Sequence, residues 1–127
     1  MHDLLSGRRM LVVEDEMMVL MNIEAVLADL GCAAISAAAT VDSALALLEA
    51  ERFDVAILDV NLGDQASFRV AEALALRSIP FVFSTGYGEH GIDVRFGDRP
   101  VLRKPYSDEQ LGAAIARLLS AVPGLHR

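Results

Sequence analysis

Apolar residues in this chain gather in short runs at 10–13, 33–38, 55–58, 81–83 and 101–102, each closed by polar or turn-forming residues. Runs this short and this apolar predict strands buried on both faces. Between them the apolar positions recur every three or four residues, the period of a helix with one face turned to a core. Residues 17–30 carry Leu20, Ile23, Leu27 and Leu30 on one face, and Gly31 follows as a C-terminal stop. Residues 41–51 repeat Val41, Ala44, Leu45 and Leu48 behind Thr40, a good N-cap. Residues 66–77 repeat Val70, Ala71 and Leu74. Residues 108–120 repeat Leu111, Ile115, Leu118 and Leu119, opened by Ser107 and Gln110 at capping-box spacing. One stretch breaks the rhythm. Residues 86–99, GYGEHGIDVRFGDR, hold three early glycines and no apolar stripe, so the fourth helix is expected to be short or disordered. Strands and helices in strict alternation predict an α/β fold, a parallel sheet with helices on both faces.

The chain has 127 residues, which fits a single domain spanning 1–127 with its core at about 8–120. A chain of this size buries roughly two thirds of its unfolded surface, enough for an independent core. No internal repeat, linker or low-complexity tract is visible, and residues 121–127 read as a tail. No apolar run approaches the ~18 residues that cross a bilayer. The start, MHDLLSGRRM, has an early acid and no apolar stretch of the signal-peptide kind, so no membrane association is expected. The lone cysteine, Cys32, lies among apolar residues and reads as a small core residue in a reducing, cytoplasmic setting. The net charge of −7 argues against a domain that grips nucleic acid. The chain carries ten Arg and a single Lys, Lys104, which marks that position for attention. Of the histidines, His2 and His126 lie near the termini and His90 in the glycine-rich stretch, all read as solvated. Met17, Met18 and Met21 offer an adaptable surface, with Met21 expected in the core and Met17 at the rim of the acidic residues beside it.

In an open α/β sheet, ligands bind beyond the carboxyl ends of the strands. Those ends carry Glu14 and Asp15, then Asp59, then Thr85, then Lys104-Pro105. Clustered carboxylates repel one another unless something neutralises them. A hard divalent cation does so, and Mg²⁺ prefers one or two carboxylates, a carbonyl and several waters. Asp15 and Asp59 offer side-chain oxygens, Glu14 binds directly or through water, and the Asn61 backbone carbonyl is near in sequence. Beside such an ion a carboxylate serves as nucleophile toward phosphorus. Phosphoryl transfer asks mainly for positioning and charge stabilisation. The Lys104 ammonium and the Thr85 hydroxyl suit the phosphoryl oxygens, and Gly86 leaves space for the group to enter.

VVEDE after the first strand, LDVNL around Asp59, STG at Thr85 and the late Lys-Pro pair together resemble the receiver domain of response regulators, over about residues 8–120. The resemblance implies a flavodoxin-like, CheY-like five-stranded sheet of order 2-1-3-4-5. It implies Mg²⁺-dependent transfer from a kinase phosphohistidine to Asp59, and a cis peptide at Lys104-Pro105. Val101 stands where receivers usually carry an aromatic residue, three positions before the Lys. The segment PFVFSTGYG is similar to an atypical, stand-alone subfamily with a Phe-X-Thr-Gly-X-Tyr signature, although Tyr87 follows Gly86 directly. That likeness implies a histidine kinase of the HWE type or a related one, or a phosphotransfer protein, as donor. It implies a cytoplasmic two-component regulator that signals by protein–protein contact, as a monomer or a phosphorylation-dependent dimer, and not a turnover enzyme. Residues 86–97 are then the expected switching element.

Each marker also has a plain reading. Glu14 to Glu16 suit an acidic helix start, Asp59 a turn, Thr85-Gly86 a strand stop, Lys104-Pro105 an exposed loop. Their joint occurrence, in order and at strand ends, favours chemistry. Two rivals use the same residues. A phosphohydrolase of the haloacid-dehalogenase type also has an Asp nucleophile and Mg²⁺, but places a second acid two residues later, where this chain has Asn61. A degenerate receiver would keep the shape as a binding module and lose Mg²⁺.

Overall fold

The five apolar runs form one sheet. The computed structural model describes residues 4–63, 65–86 and 96–121. In chain order the elements are β1 (Arg9–Val13), α1 (Met17–Asp29), β2 (Ala34–Ala38), α2 (Val41–Ala50), β3 (Val55–Asp59), β4 (Asn61–Leu62), β5 (Gln65–Ala66), α3 (Phe68–Leu76), β6 (Phe81–Thr85), β7 (Val101–Arg103) and α4 (Asp108–Ala121). The main sheet runs β2-β1-β3-β6-β7 with every pairing parallel. Counted among its own strands that is 2-1-3-4-5, the flavodoxin-like order.

Strand alternation divides the core into two layers. Leu11, Val13, Ala56, Leu58, Phe81 and Phe83 face α2 and α3, together with Val41, Leu48, Val70 and Leu74. Met10, Val12, Val55, Ile57, Val82 and Leu102 face α1 and α4, together with Ile23, Leu27, Leu111 and Ile115. Cys32 is buried in this second layer as a free thiol. The first layer holds four phenylalanines in contact: Phe81 lies edge-on to Phe83 at 5.3 Å, and Phe68 stacks on Phe96 at 6.0 Å between ring centres. β3 is buried along its whole length, so Asp59 reaches the surface only at the sheet's end.

The helix ends follow their local chemistry. Gly31 takes φ +91°, and the amides of Gly31 and Cys32 bond back to Ala28 and Leu27, closing α1. Thr40 Oγ1 accepts the Ser43 amide at 3.1 Å and caps α2. At α4 the Ser107 hydroxyl accepts the Gln110 amide at 3.0 Å while Gln110 Oε1 accepts the Ser107 amide at 2.8 Å. Thr40→Ala leaves a helix-start amide without its partner and is expected to lower unfolding stability by about 1 kcal/mol. Denaturant unfolding checks this, and a loss below a few tenths would show that water replaces the cap.

Two expectations need correction. The third helix starts at Phe68, not 66, because Gln65–Ala66 pair antiparallel with Asn61–Leu62 around Gly63 at φ +66°. Met21 is 56% exposed instead of in the core. It lies two residues, about 200° around the helix, from buried Ile23 and so points outward. The expected short or disordered fourth helix falls on residues 86–99, of which 87–95, with Tyr87 and His90, lie outside the described residues, as do His2 and His126. Val101 is half-buried in β7 and packs against the phenylalanine layer.

Candidate functional site

Because all five strands run parallel, their carboxyl ends share one edge, and the residues that follow them meet there. Glu14 leaves β1, Asp59 ends β3, Thr85 ends β6, and Lys104 follows β7. The Lys104 amide bonds the Thr85 carbonyl at 2.9 Å, which ties the last loop to the sheet. The Lys104-Pro105 peptide is cis, as the resemblance implied.

Carboxylate oxygens of Glu14, Asp15 and Asp59 all lie within 4.8 Å of one another. Glu14 is 2% exposed and Asp59 5%. The Lys104 ammonium serves three acids. It donates to Asp59 Oδ2 at 3.0 Å, to Glu16 Oε1 at 3.1 Å and to Glu14 Oε2 at 3.4 Å. Glu14 Oε1 lies 3.1 Å from the same nitrogen but has no aligned hydrogen-bond donor. The remaining Asp59 oxygen, Oδ1, accepts the Asn61 amide at 3.2 Å, and the Ser67 hydroxyl donates to the Asp59 carbonyl. Asp15 Oδ2 accepts the Gly63 amide at 2.8 Å, which fastens the β4–β5 hairpin over the site.

This crowding shifts protonation. Burial pushes the Glu14 carboxyl up to about 7, and the neighbouring Asp59 charge adds to the rise, against the opposing pull of the Glu16 amide and Lys104. Burial works to lower the Lys104 ammonium, but its hydrogen bond and charge contact with Asp59, joined by Glu14 and Glu16, outweigh it and hold Lys104 charged. The donor set fits a hard divalent cation: convergent carboxylate oxygens, one of them buried without an aligned donor, around a single ammonium.

A cleft of about 220 Å³ opens over Asp59, lined by Asp15, Glu16, Asn61, Gly63, Gly86 and Lys104. At about 30 Å³ for each water, it has room for a phosphoryl group and its hydration. A Cβ at Gly86 would meet nothing within 4 Å, so the room comes from the cleft itself. Thr85 is buried at the cleft's edge. Every residue singled out for this site in the sequence is thus at one rim. In residue order Glu16 shows only as part of an acidic helix start. Ser67 carries no signal there, since its tie to Asp59 exists only once the hairpin folds.

A family model described as the response regulator receiver domain matches residues 10–116. The chain belongs to the response regulator receiver domain family. Among curated proteins this receiver domain is similar to the phyllosphere-induced regulator PhyR of Methylorubrum extorquens, 29% identical over 116 residues. That match covers 86% of this chain and 42% of PhyR, so the chain spans less than half of its relative's length. Among solved structures it is similar to SdrG from Sphingomonas melonis Fr1, 47% identical with a TM-score of 0.79, covering 88% of this chain and 96% of SdrG. A BeF3-activated conformation of SdrG from Pseudomonas melonis Fr1 is 44% identical with a TM-score of 0.73, covering 89% and 98%. Among the described residues, no helix of this receiver is long and apolar enough to cross a membrane.

Proposed function

We propose that this receiver, folded over about residues 8–120, takes a phosphoryl group onto Asp59 from the phosphohistidine of a histidine kinase or phosphotransfer protein. The carrying observation is Asp59 itself: buried at the end of β3, 3.0 Å from the Lys104 ammonium and clustered with Glu14 and Asp15. An Asp59 carboxylate oxygen attacks phosphorus, the O–P bond forms as the P–N bond breaks, and the leaving imidazole nitrogen takes a proton from solvent. Lys104 faces the phosphoryl oxygens from one side and the Thr85 hydroxyl from another, beside the opening at Gly86. Mg²⁺ held by Glu14, Asp15, Asp59 and the Asn61 carbonyl would supply the remaining charge neutralisation. Pro105 shapes the loop that presents Lys104.

The BeF3-activated form of SdrG supports this reading, since trifluoroberyllate on a carboxylate copies a phosphoryl group. Asn61 in place of an acid leaves no general acid/base two residues after Asp59, which argues against ester turnover. Output is by protein–protein contact in the cytoplasm, with a kinase of the HWE type or a related one as donor. The chain acts as a monomer or as a dimer formed on phosphorylation. Incubation with Mg²⁺ and acetyl phosphate is expected to add one phosphoryl group by intact mass, and chelation of Mg²⁺ to prevent it. No gain from acetyl phosphate or a phosphorylated kinase, with the fold intact by circular dichroism, would sink the proposal.

A further inference from the structure

Lys104 has three N–H donors and three carboxylates take them, but those acids are not alike. Glu14 and Asp59 are buried beneath the cleft, whereas the Glu16 side chain is 64% exposed and lines its mouth. Glu16 opens α1 without capping it by its side chain, so its carboxylate is free to lean over the site. Its amide donates to Glu14 Oε2 at 3.0 Å, which anchors its backbone to the acidic cluster. When all are ionised, Glu14, Asp15, Glu16 and Asp59 against Lys104 leave a net charge of −3 (four minus one), and a divalent cation brings this to −1. Glu16 is the most exposed of the Lys104-bound acids that carry this residual charge. It lines the cleft that opens onto Asp59.

We propose that Glu16 is a charge gate for the phosphoryl donor, a specificity-determining residue that selects against free, fully ionised small-molecule phosphates. The inference rests on the phosphoacceptor reading above. The Glu16 carboxylate repels the donor in proportion to the donor's net charge. It also occupies one of the Lys104 donors that the phosphoryl oxygens would use. A donor whose phosphoryl charge is partly offset by a protonated leaving nitrogen meets a smaller barrier.

The test compares two donors of different charge. Acetyl phosphate is a dianion just above neutral pH, whereas phosphoramidate is largely a zwitterionic monoanion. Initial rates are read by intact mass with saturating Mg²⁺ in the native chain, Glu16→Gln, Glu16→Asp and Glu16→Gln/Asp59→Asn. At low salt, Glu16→Gln is expected to react about tenfold faster with acetyl phosphate but only about threefold faster with phosphoramidate, from Coulomb repulsion at about 6 Å in water-like screening. Glu16→Asp keeps the charge and is expected to stay near the native rate with both donors. The gap between Glu16→Gln and the native chain should shrink as salt rises. Equal acceleration with both donors, no acceleration, or slowing that Glu16→Asp does not rescue would overturn the gate and leave the receiver reading standing. If only Glu16→Gln reacts, and Asp59→Asn removes that reaction, the gate is supported in its strongest form. No phosphoryl gain in any chain with either donor overturns the gate, and the phosphoacceptor reading falls with it only when a phosphorylated kinase also adds nothing.

Discussion

Asp59→Asn is expected to take up no phosphoryl group, from acetyl phosphate or from a phosphorylated kinase, at any Mg²⁺ concentration. An amide lacks the ionised oxygen that attacks phosphorus, and the other carboxylates are poorly placed to replace it. Glu14 is buried with its Oε2 bonded to Glu16 and Lys104, and Asp15 is turned to the hairpin amide of Gly63. The fold should survive, because Asn keeps the shape of Asp and its one carbonyl oxygen can still accept either the Asn61 amide or a bond from Lys104. A second change accompanies the first. Asp59 raises the Glu14 carboxyl both by its charge and by a shared hydrogen bond, so the neutral Asn lets that carboxyl move back toward its ordinary range. Intact mass gives the first result and an acid–base titration of Glu14 the second. A phosphoryl group mapped to Glu14 or Asp15 in the variant would remove Asp59 from its role.

The sheet is legible in the sequence because its strands are buried on both faces, and residues such as Val55, Ile57 and Leu58 leave little choice of environment. The helices are legible where a stripe meets a cap, as at Thr40 and Ser107. The β4–β5 hairpin is not, because two pairs of residues around Gly63 carry no periodicity that a helix reading of 66–77 would contradict. Hydrophobicity alone puts Met21 in the core, but its angle on α1 turns it outward; Ile23, Val26 and Leu27 already fill the face that meets the sheet.

At the site, acids, a hydroxyl and an ammonium at successive strand ends are legible because parallel topology alone brings such ends together. The sharing of Lys104 is not. It depends on the lean of Glu16 from the start of α1, which leaves no mark in residue order. Glu16 in sequence is an acid at a helix start; in space it is the exposed third of a shared ammonium.

Without divalent cations, stability is expected to fall as pH rises from about 5 to 8, and Glu14 accounts for the fall. Its carboxyl titrates near 4.5 in the unfolded chain and at about 7 when folded. A raised carboxyl binds its proton more tightly in the native state, so its stabilisation is complete below the unfolded value and lost as pH climbs through the folded one. That shift amounts to about 3 kcal/mol, drained mostly between pH 4.5 and 7. Lys104 does not oppose this within the window. Its pKa is raised too, so its contribution persists until pH passes its ordinary alkaline range. On the proposed function, Mg²⁺ would bind the ionised cluster and not the unfolded chain, so at one hundred times its dissociation constant it should restore about 2.7 kcal/mol at pH 8. Glu14→Gln removes the titration: stability at pH 8 should approach that at pH 5, and the rescue by Mg²⁺ should largely vanish. Denaturant unfolding of both chains at the two pH values, with and without Mg²⁺, decides it. Parallel pH profiles in the native chain and Glu14→Gln would mean that the buried carboxyl is not the group that strains the site.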